Sequence, residues 1–250
     1  MGCASSALNP FAIMADASPQ PDLTVRVASA IAMITVAGGA LWLGGMVWTV
    51  FVLAIGVGVW LEWRGLVLRF TGPDRARALW LAGGAIYCGL AAGVLLVLRE
   101  AAFGRVLVLT VLLAVIATDV GAYFAGRTVG GPRIAPAISP SKTWAGLIGA
   151  MVLTPLAIYG ALVLLAADQP RVVAGSMSVS GIVVAGAALA ITAQAGDFFE
   201  SWMKRRAGVK DSGNLLPGHG GLFDRVDGLL AVLLLLAIML ALWPASFGMR

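Results

Sequence analysis

The stretch DRVDGLLAVLLLLAIMLALW, Asp224–Trp243, opens on two aspartates and an arginine and then runs to its end without another charge. A helix needs roughly 20 mainly apolar residues to cross a bilayer. This run meets that length, so its charged opening is pinned at a membrane boundary. The whole chain has the same character: 60% of its 250 residues are hydrophobic and 12% are charged, where a soluble domain carries about 25% charged residues. One core could not hide so much apolar surface, whereas lipid removes the need to hide it. The fold class that follows is all-α, a polytopic integral membrane helical bundle within the lipid bilayer. The net charge of +5 then reflects topology and not a nucleic-acid partner, because basic residues of such proteins gather in cytoplasmic loops.

Hydropathy predicts about seven transmembrane helices, at 27–45, 46–63, 79–98, 106–126, 144–166, 179–199 and 226–243. The first two run together around Gly44 and Gly45, so the count in the N-terminal part is a minimum. The chain divides into a tail (1–26), an N-terminal transmembrane region (27–105) and a C-terminal transmembrane region (106–250) with loops 127–143 and 200–225. With the tail in the cytoplasm, 13 of the 17 Lys and Arg residues fall on the cytoplasmic side; only Arg99, Arg105, Arg171 and Arg250 fall outside. The positive-inside bias supports that orientation. The tail lacks the basic-then-apolar pattern of a cleaved signal. Its MGCASS start fits a loose myristoylation pattern, against the plainer reading of a Pro-containing tail. Cys3 and Cys88 are too few and too far apart in setting for a disulfide framework and read as free thiols.

Charge is concentrated in one place. Five of the twelve acids, Asp197, Glu200, Asp211, Asp224 and Asp227, lie within 31 positions, together with Lys204, Arg205, Arg206, Lys210 and Arg225. Asp197, Glu200, Ser201 and Lys204 share one helix face by their i, i+3, i+4 and i+7 spacing. Asp224 and Asp227 share a face at the start of the last span. Gathered carboxylates repel unless a cation lies between them, and hard oxygen ligands favour magnesium. Lys and Arg nearby suit phosphate oxygens. Metal-dependent phosphoryl or nucleotidyl transfer at a membrane surface fits this chemistry, against the plainer reading of charges that solvate a loop. Asp197 and Asp119 follow apolar runs, where an ionised acid costs up to roughly 3 kcal/mol unless paired or bound to metal, which marks both as functional candidates. In PGHGG, glycines around His219 either let backbone N–H groups approach an anion or form a tight turn; His219 itself is read as a base, a phosphate donor or a turn-stabilising side chain. Three prolines in GRTVGGPRIAPAISPSKTWAG exclude a regular helix through the loop's middle. Ser139-Pro140-Ser141-Lys142-Thr143 there reads as a short ordered segment that offers hydroxyls and an ammonium, or, through Ser141 or Thr143, a cap for the following helix.

SWMKRRAGVKDSGNLLPGHGGLFDRVD, Ser201–Asp227, closely resembles the signature of the phosphatidate cytidylyltransferases (CDP-diacylglycerol synthases): S-x-x-K-R, K-D-x-G, P-x-H-G-G and D-R-x-D, with every fixed position met. TDVGAYFAGRTVGGPRIAPAISPSKTWAG, Thr118–Gly146, looks like that family's second recurring block, and GDFFES lies just before the signature. The resemblance covers roughly the C-terminal half of the chain. It implies a magnesium-dependent membrane enzyme, with or without a second cation, that joins CTP to phosphatidic acid. The implied protein is a homodimer in a bacterial inner membrane, with its site facing the cytoplasm and opening laterally to lipid. By position it implies that Asp197 and Asp224, with Asp227 beside them, bind metal, and that Lys204 and Lys210 act with them in catalysis. Ser201, Arg205, Asp211 and His219 are expected to line the nucleotide or phosphate site, and Asp119, Arg127, Ser139, Lys142 and Thr143 to contact substrate. Two positions depart from the family pattern: Ser141 stands where lysine is frequent and Ala145 where glutamate is.

Two rivals are weaker. DRVDG begins like the D-x-x-D-G motif of CDP-alcohol phosphatidyltransferases, but the uncharged run after it lacks that motif's remaining aspartates. A transporter with Asp119 and Asp197 as a coupling site would place its acids near the midplane with repeat symmetry, whereas here the acids cluster toward one side.

Overall fold

The computed structural model describes residues 23–165, 178–216 and 218–242. Among them are seven helices long and apolar enough to cross a membrane, with mean hydropathy from 1.6 to 2.3. They are α1 (Leu23–Leu43), α2 (Gly45–Phe70), α3 (Arg75–Glu100), α4 (Gly104–Thr128), α5 (Trp144–Leu165), α6 (Val179–Ala207) and α7 (Phe223–Leu242). The expected polytopic helical bundle is present. The first 22 residues, with the myristoylation pattern and Cys3, lie outside the described part.

Three features differ from the sequence reading. The expected loop 64–78 shrinks to residues 71–74, because α2 continues past residue 63 with Trp63, Leu66 and Val67 on its buried face. Asp74 then starts α3 as its N-cap, accepting from Arg77 N at 3.2 Å. Likewise α6 runs on from residue 199 to Ala207 and stops at Gly208, whose φ of 68° is the left-handed conformation that glycine reaches without strain. Finally, order in the loop after α4 extends beyond the short segment expected at Ser139–Thr143. It folds into an antiparallel hairpin of β1 (Arg133–Ala135) and β2 (Ser139–Thr143), with Ala135 opposite Ser139. Pro132, Pro136 and Pro140 deny this segment a helix.

Small residues set how closely the helices approach. A Cβ added to Gly121 on α4 would lie 2.7 Å from the Gly149 carbonyl oxygen on α5, and Thr118 Oγ1 meets Thr154 Oγ1 across the same crossing at 2.9 Å. Glycine-lined contact of this kind drives association where lipid offers no hydrophobic incentive. Gly121→Ala is therefore expected to destabilise the protein by about 1–3 kcal/mol through overpacking, read as a lower thermal midpoint in detergent. Gly38→Ala, where an added Cβ would meet nothing within 4 Å, should leave the midpoint unchanged. Equal midpoints for both variants would refute the close-packing account.

The main core joins α2, α3, α4, α7 and the C-terminal part of α6. Its loop end is a ring cluster: Trp63 lies 5.6 Å from Phe199 and 5.8 Å from Phe223 between centroids, and Trp63 Nε1 donates to the Trp80 carbonyl at 2.9 Å. This fixes α2 and α3 against the charged ends of α6 and α7. By contrast α1 is peripheral, burying only Ala40 and Leu41. The two first spans separate at Gly44 and Gly45, whose φ values of 67° and 52° let the chain turn, and Arg99 Nε donates to the Leu41 carbonyl at 3.0 Å beside that break.

Candidate active site

The charged residues of α6 and the start of α7 meet at the loop end of the bundle. Lys204 Nζ lies 2.7 Å from Glu200 Oε2, one helical turn earlier, and 2.7 Å from Asp224 Oδ1 on α7. All three side chains are largely withdrawn from solvent, so this is a shielded acid–base–acid arrangement. Glu200 Oε1 is buried without a hydrogen-bond partner. The other oxygen of Asp224, Oδ2, accepts from the backbone N–H groups of Ser212 and Gly221, each at 3.0 Å. Asp224 thus ties both ends of the 211–221 loop to α7.

Glu62 completes the tie from the far side. It lies on α2, 6% exposed, and the sequence reading assigned it nothing. Its Oε1 accepts from Leu222 N at 3.0 Å; its Oε2 accepts from Phe223 N at 2.8 Å and from Ser212 Oγ at 2.9 Å. The first N–H groups of a helix lack intrahelical partners; that of Phe223, and that of Leu222 just before it, are satisfied by a carboxylate borrowed from another span. A side chain at Gly213 or Gly221 would collide with Glu62 or with the hydroxyl of Ser212, so both glycines are required by close approach. Glu62 could have been suspected as an acid in an apolar span, by the same rule that singled out Asp119.

The PGHGG stretch resolves toward a turn. Gly218 and Gly220 have φ of 76° and 79°, His219 N donates to the Leu216 carbonyl at 3.0 Å, and Gly221 N is held by Asp224. His219 Nδ1 lies 2.8 Å from Ser29 Oγ on α1, and its carbonyl accepts from Arg225. Of the roles left open for it, the turn-stabilising one matches these contacts.

A second charged group forms where α4, α6 and the hairpin converge. Lys142 at the end of β2 makes an ion pair with Asp197 Oδ2. Asp119 and Asp227 are in electrostatic reach of Asp197 and of Lys142. Asp197 faces α7 so closely that a Cβ on Gly228 would lie 3.0 Å from its Oδ1. A cavity of about 330 Å³ adjoins this group, with Asp119, Tyr123, Arg127, Lys142, Thr143 and Gln194 on its wall. Arg127 is held over Tyr123, donating to its hydroxyl at 3.2 Å.

The remaining expected residues are more scattered. Ser139 is buried in β2, and Thr143 Oγ1 accepts from Gly146 N, which makes it a cap of α5. Arg205 is exposed and donates to the hairpin carbonyl of Ile138 at 3.4 Å. Ser201 is half-buried, Lys210 and Asp211 are exposed, and Asp211 lies on the same side of Gly220 as Asp224. Arg206 stacks over Trp202 and Phe70 off the shared face.

The aspartates expected to share a metal are thus divided between two lysines. Among the described residues no group of three or more His, Cys, Asp or Glu side chains is gathered closely enough to hold a metal ion alone. The donor set is nevertheless all oxygen and suits magnesium, which is commonly held by one or two carboxylates plus substrate phosphates instead of a complete protein cage.

Residues 73–243 match the family described as the cytidylyltransferase family. The chain is 36% identical over 269 aligned residues to the phosphatidate cytidylyltransferase of Brucella suis, covering 91% of this chain and 95% of that protein. It is 30% identical to the phosphatidate cytidylyltransferase of Rickettsia bellii over 213 residues, covering 84% of this chain and 87% of the other. The enzyme of that name from Haemophilus influenzae is 40% identical over 128 residues, covering 51% of this chain and 43% of the other.

Proposed function

The chain belongs to the cytidylyltransferase family, and from that premise we propose that it transfers the cytidylyl group of CTP to phosphatidic acid, giving CDP-diacylglycerol and pyrophosphate. The observation that carries this reading is the pair of lysine-balanced aspartates, Asp197 with Lys142 and Asp224 with Lys204, at the loop end of a membrane-spanning bundle. The polar cavity beside Lys142 carries Arg127 on its wall, so cationic donors converge where a phosphate can enter. Chemistry of this kind depends on positioning and charge neutralisation more than on covalent catalysis.

In the reaction, an oxygen of the phosphatidate phosphate forms a bond to the α-phosphorus of CTP. The bond from that phosphorus to its bridging oxygen breaks, and the electron pair leaves with pyrophosphate. The attacking oxygen already bears negative charge, so no strong base has to remove a proton from it, which agrees with a structural placement of His219. Lys142, Lys204 and Arg127 supply charge-assisted hydrogen bonds to phosphate oxygens. Lys210 and Asp211 are exposed at the loop's entry, and we assign them to meeting the nucleotide as it arrives. Magnesium is the cation we propose, held by Asp197 and Asp224 with Asp227 beside Asp197; when bound it neutralises triphosphate charge.

The lysine and arginine distribution supports a loop end that faces the cytoplasm of a bacterial inner membrane, where CTP is available. A homodimer follows from the resemblance carried by the signature. The test is direct: purified protein in detergent, given CTP, phosphatidic acid and magnesium, should release pyrophosphate and CDP-diacylglycerol in equal amounts. Chelation should stop turnover, and magnesium should restore it. Absence of both products overturns the enzyme reading, and undiminished turnover in chelator overturns the metal assignment alone.

A further inference from the structure

Gln194 lies on α6 one turn before Asp197, and is 3% exposed. Neither its Nε2 nor its Oε1 has a hydrogen-bond partner. Buried polar side chains are nearly always paired, and each exception asks for a reason. Gln194 also forms part of the wall of the cavity that holds Arg127 and Lys142. A group entering that cavity can supply the missing partner.

Depth says what kind of group this is. Counting back from the end of α6 at Ala207, Asp197 lies about 15 Å and Gln194 about 20 Å along the helix, at 1.5 Å per residue. The cavity's cations sit toward the loop end: Arg127 is in the last turn of α4, and Lys142 is at the end of the hairpin. Its wall is therefore cationic at the outer end; further into the bundle it carries the uncharged amide of Gln194 and, about 12 Å inward of Arg127 along α4, the carboxylate of Asp119, which leaves Gln194 as the neutral donor at that depth. A glycerophospholipid has the same polarity order, with the anionic phosphate outermost and the acyl-ester carbonyls a few ångströms inward. An ester carbonyl only accepts hydrogen bonds, and a neutral amide donates one without the cost of burying a charge. Tyr123 and Trp144, both more than half exposed, flank this region of α4 and α5, as aromatic side chains commonly do at membrane interfaces.

We propose that Gln194 is a substrate-binding residue, whose Nε2 donates to an acyl-ester carbonyl of phosphatidic acid while Lys142 and Arg127 engage its phosphate. This rests on phosphatidic acid being the substrate, and it assigns the cavity to the lipid headgroup instead of the cytosine base. It makes the enzyme selective for ester-linked over ether-linked lipid.

The test compares diacyl phosphatidic acid with its dialkyl ether analogue, in mixed micelles, on the wild type and on Gln194→Met. Methionine keeps the length and removes both polar atoms, so the substrate-free variant should melt at or above the wild-type midpoint, there being no protein hydrogen bond to lose. The variant's KM for diacyl lipid should rise about tenfold, the scale of one lost hydrogen bond, with the KM for CTP unchanged. On the ether lipid the two proteins should have the same KM within about twofold. The wild type alone should show an about tenfold higher KM for the ether lipid than for the diacyl lipid, a comparison that needs no variant to fold. An equal KM for both lipids in the wild type overturns the proposal. So does a rise in the KM for CTP in place of that for lipid, an equal loss on both lipids, or a lowered melting midpoint. If the wild type produces no CDP-lipid from diacyl substrate, the broader enzyme reading fails; if it does and Gln194→Met matches it, only this inference fails.

Discussion

Asp224→Asn is expected to cut turnover at least about a hundredfold, the scale of losing one preorganised charged group at a transfer site, in a protein that remains helical and folded. Asp224 balances Lys204 through Oδ1 and receives two backbone N–H groups through Oδ2. Asparagine offers one oxygen, so its amide nitrogen must face either the Lys204 ammonium or the two N–H donors. Either orientation sets donor against donor. Some stability is lost with it, about 1–3 kcal/mol for a donor left unpaired, so turnover should be measured at a temperature where circular dichroism shows the variant folded. Turnover near the wild-type rate would remove Asp224 from the chemistry and leave it a purely structural tie.

Glu62→Ala should have the larger effect on the fold itself. It strips the partners from Leu222 N, Phe223 N and Ser212 Oγ at once. Each buried donor left unsatisfied costs about 1–3 kcal/mol, so a loss upward of about 3 kcal/mol is expected, with activity lost because the 211–221 loop is no longer seated. Glu62→Gln keeps one accepting oxygen and should fall between Glu62→Ala and the wild type. Arg64→Ala, exposed two residues further along the same helix, should behave as the wild type. The measurement is thermal unfolding in detergent alongside the CTP assay. Identical unfolding of Glu62→Ala and Arg64→Ala would show that Glu62 does not anchor the loop.

Hydropathy made the seven spans legible because the property it measures, about 20 apolar residues in sequence, is local. Their ends were less so. The extension of α2 to Phe70 depends on Trp63, Leu66 and Val67 finding α3 and α7 to pack on, which no window along the chain contains. The face carrying Asp197, Glu200 and Lys204 followed from helical spacing, and the structure joins it to Asp224 through Lys204. Which cation sits on which acid did not follow. Lys142 reaches Asp197 across 55 positions, and only the hairpin's path brings them together. For Glu62, in GVWLEWRG, an acid in an apolar span was a visible signal, but its role was hidden for the same reason in stronger form: its partners lie 150 to 161 positions later. The glycines of PGHGG allowed an anion nest or a turn, and a fragment alone holds nothing to decide between them. In the folded chain the carboxylate of Asp224 and the bond to Ser29 supply the partners of a turn.

The reach of Glu62 also fixes an order of events in biogenesis. Its span is the second described helix and enters the membrane early, while the N–H groups that it accepts from are those of Leu222 and Phe223, where the last one begins. Until that final helix is inserted, the acid is a buried group waiting for its donors, and the loop that precedes the helix has no seat. A chain halted before α7 therefore holds six of the described spans, with the loop that precedes α7 unseated. Insertion of α7 and seating of that loop are one event, so a partly synthesised chain carries Glu62 without the donors that bind it.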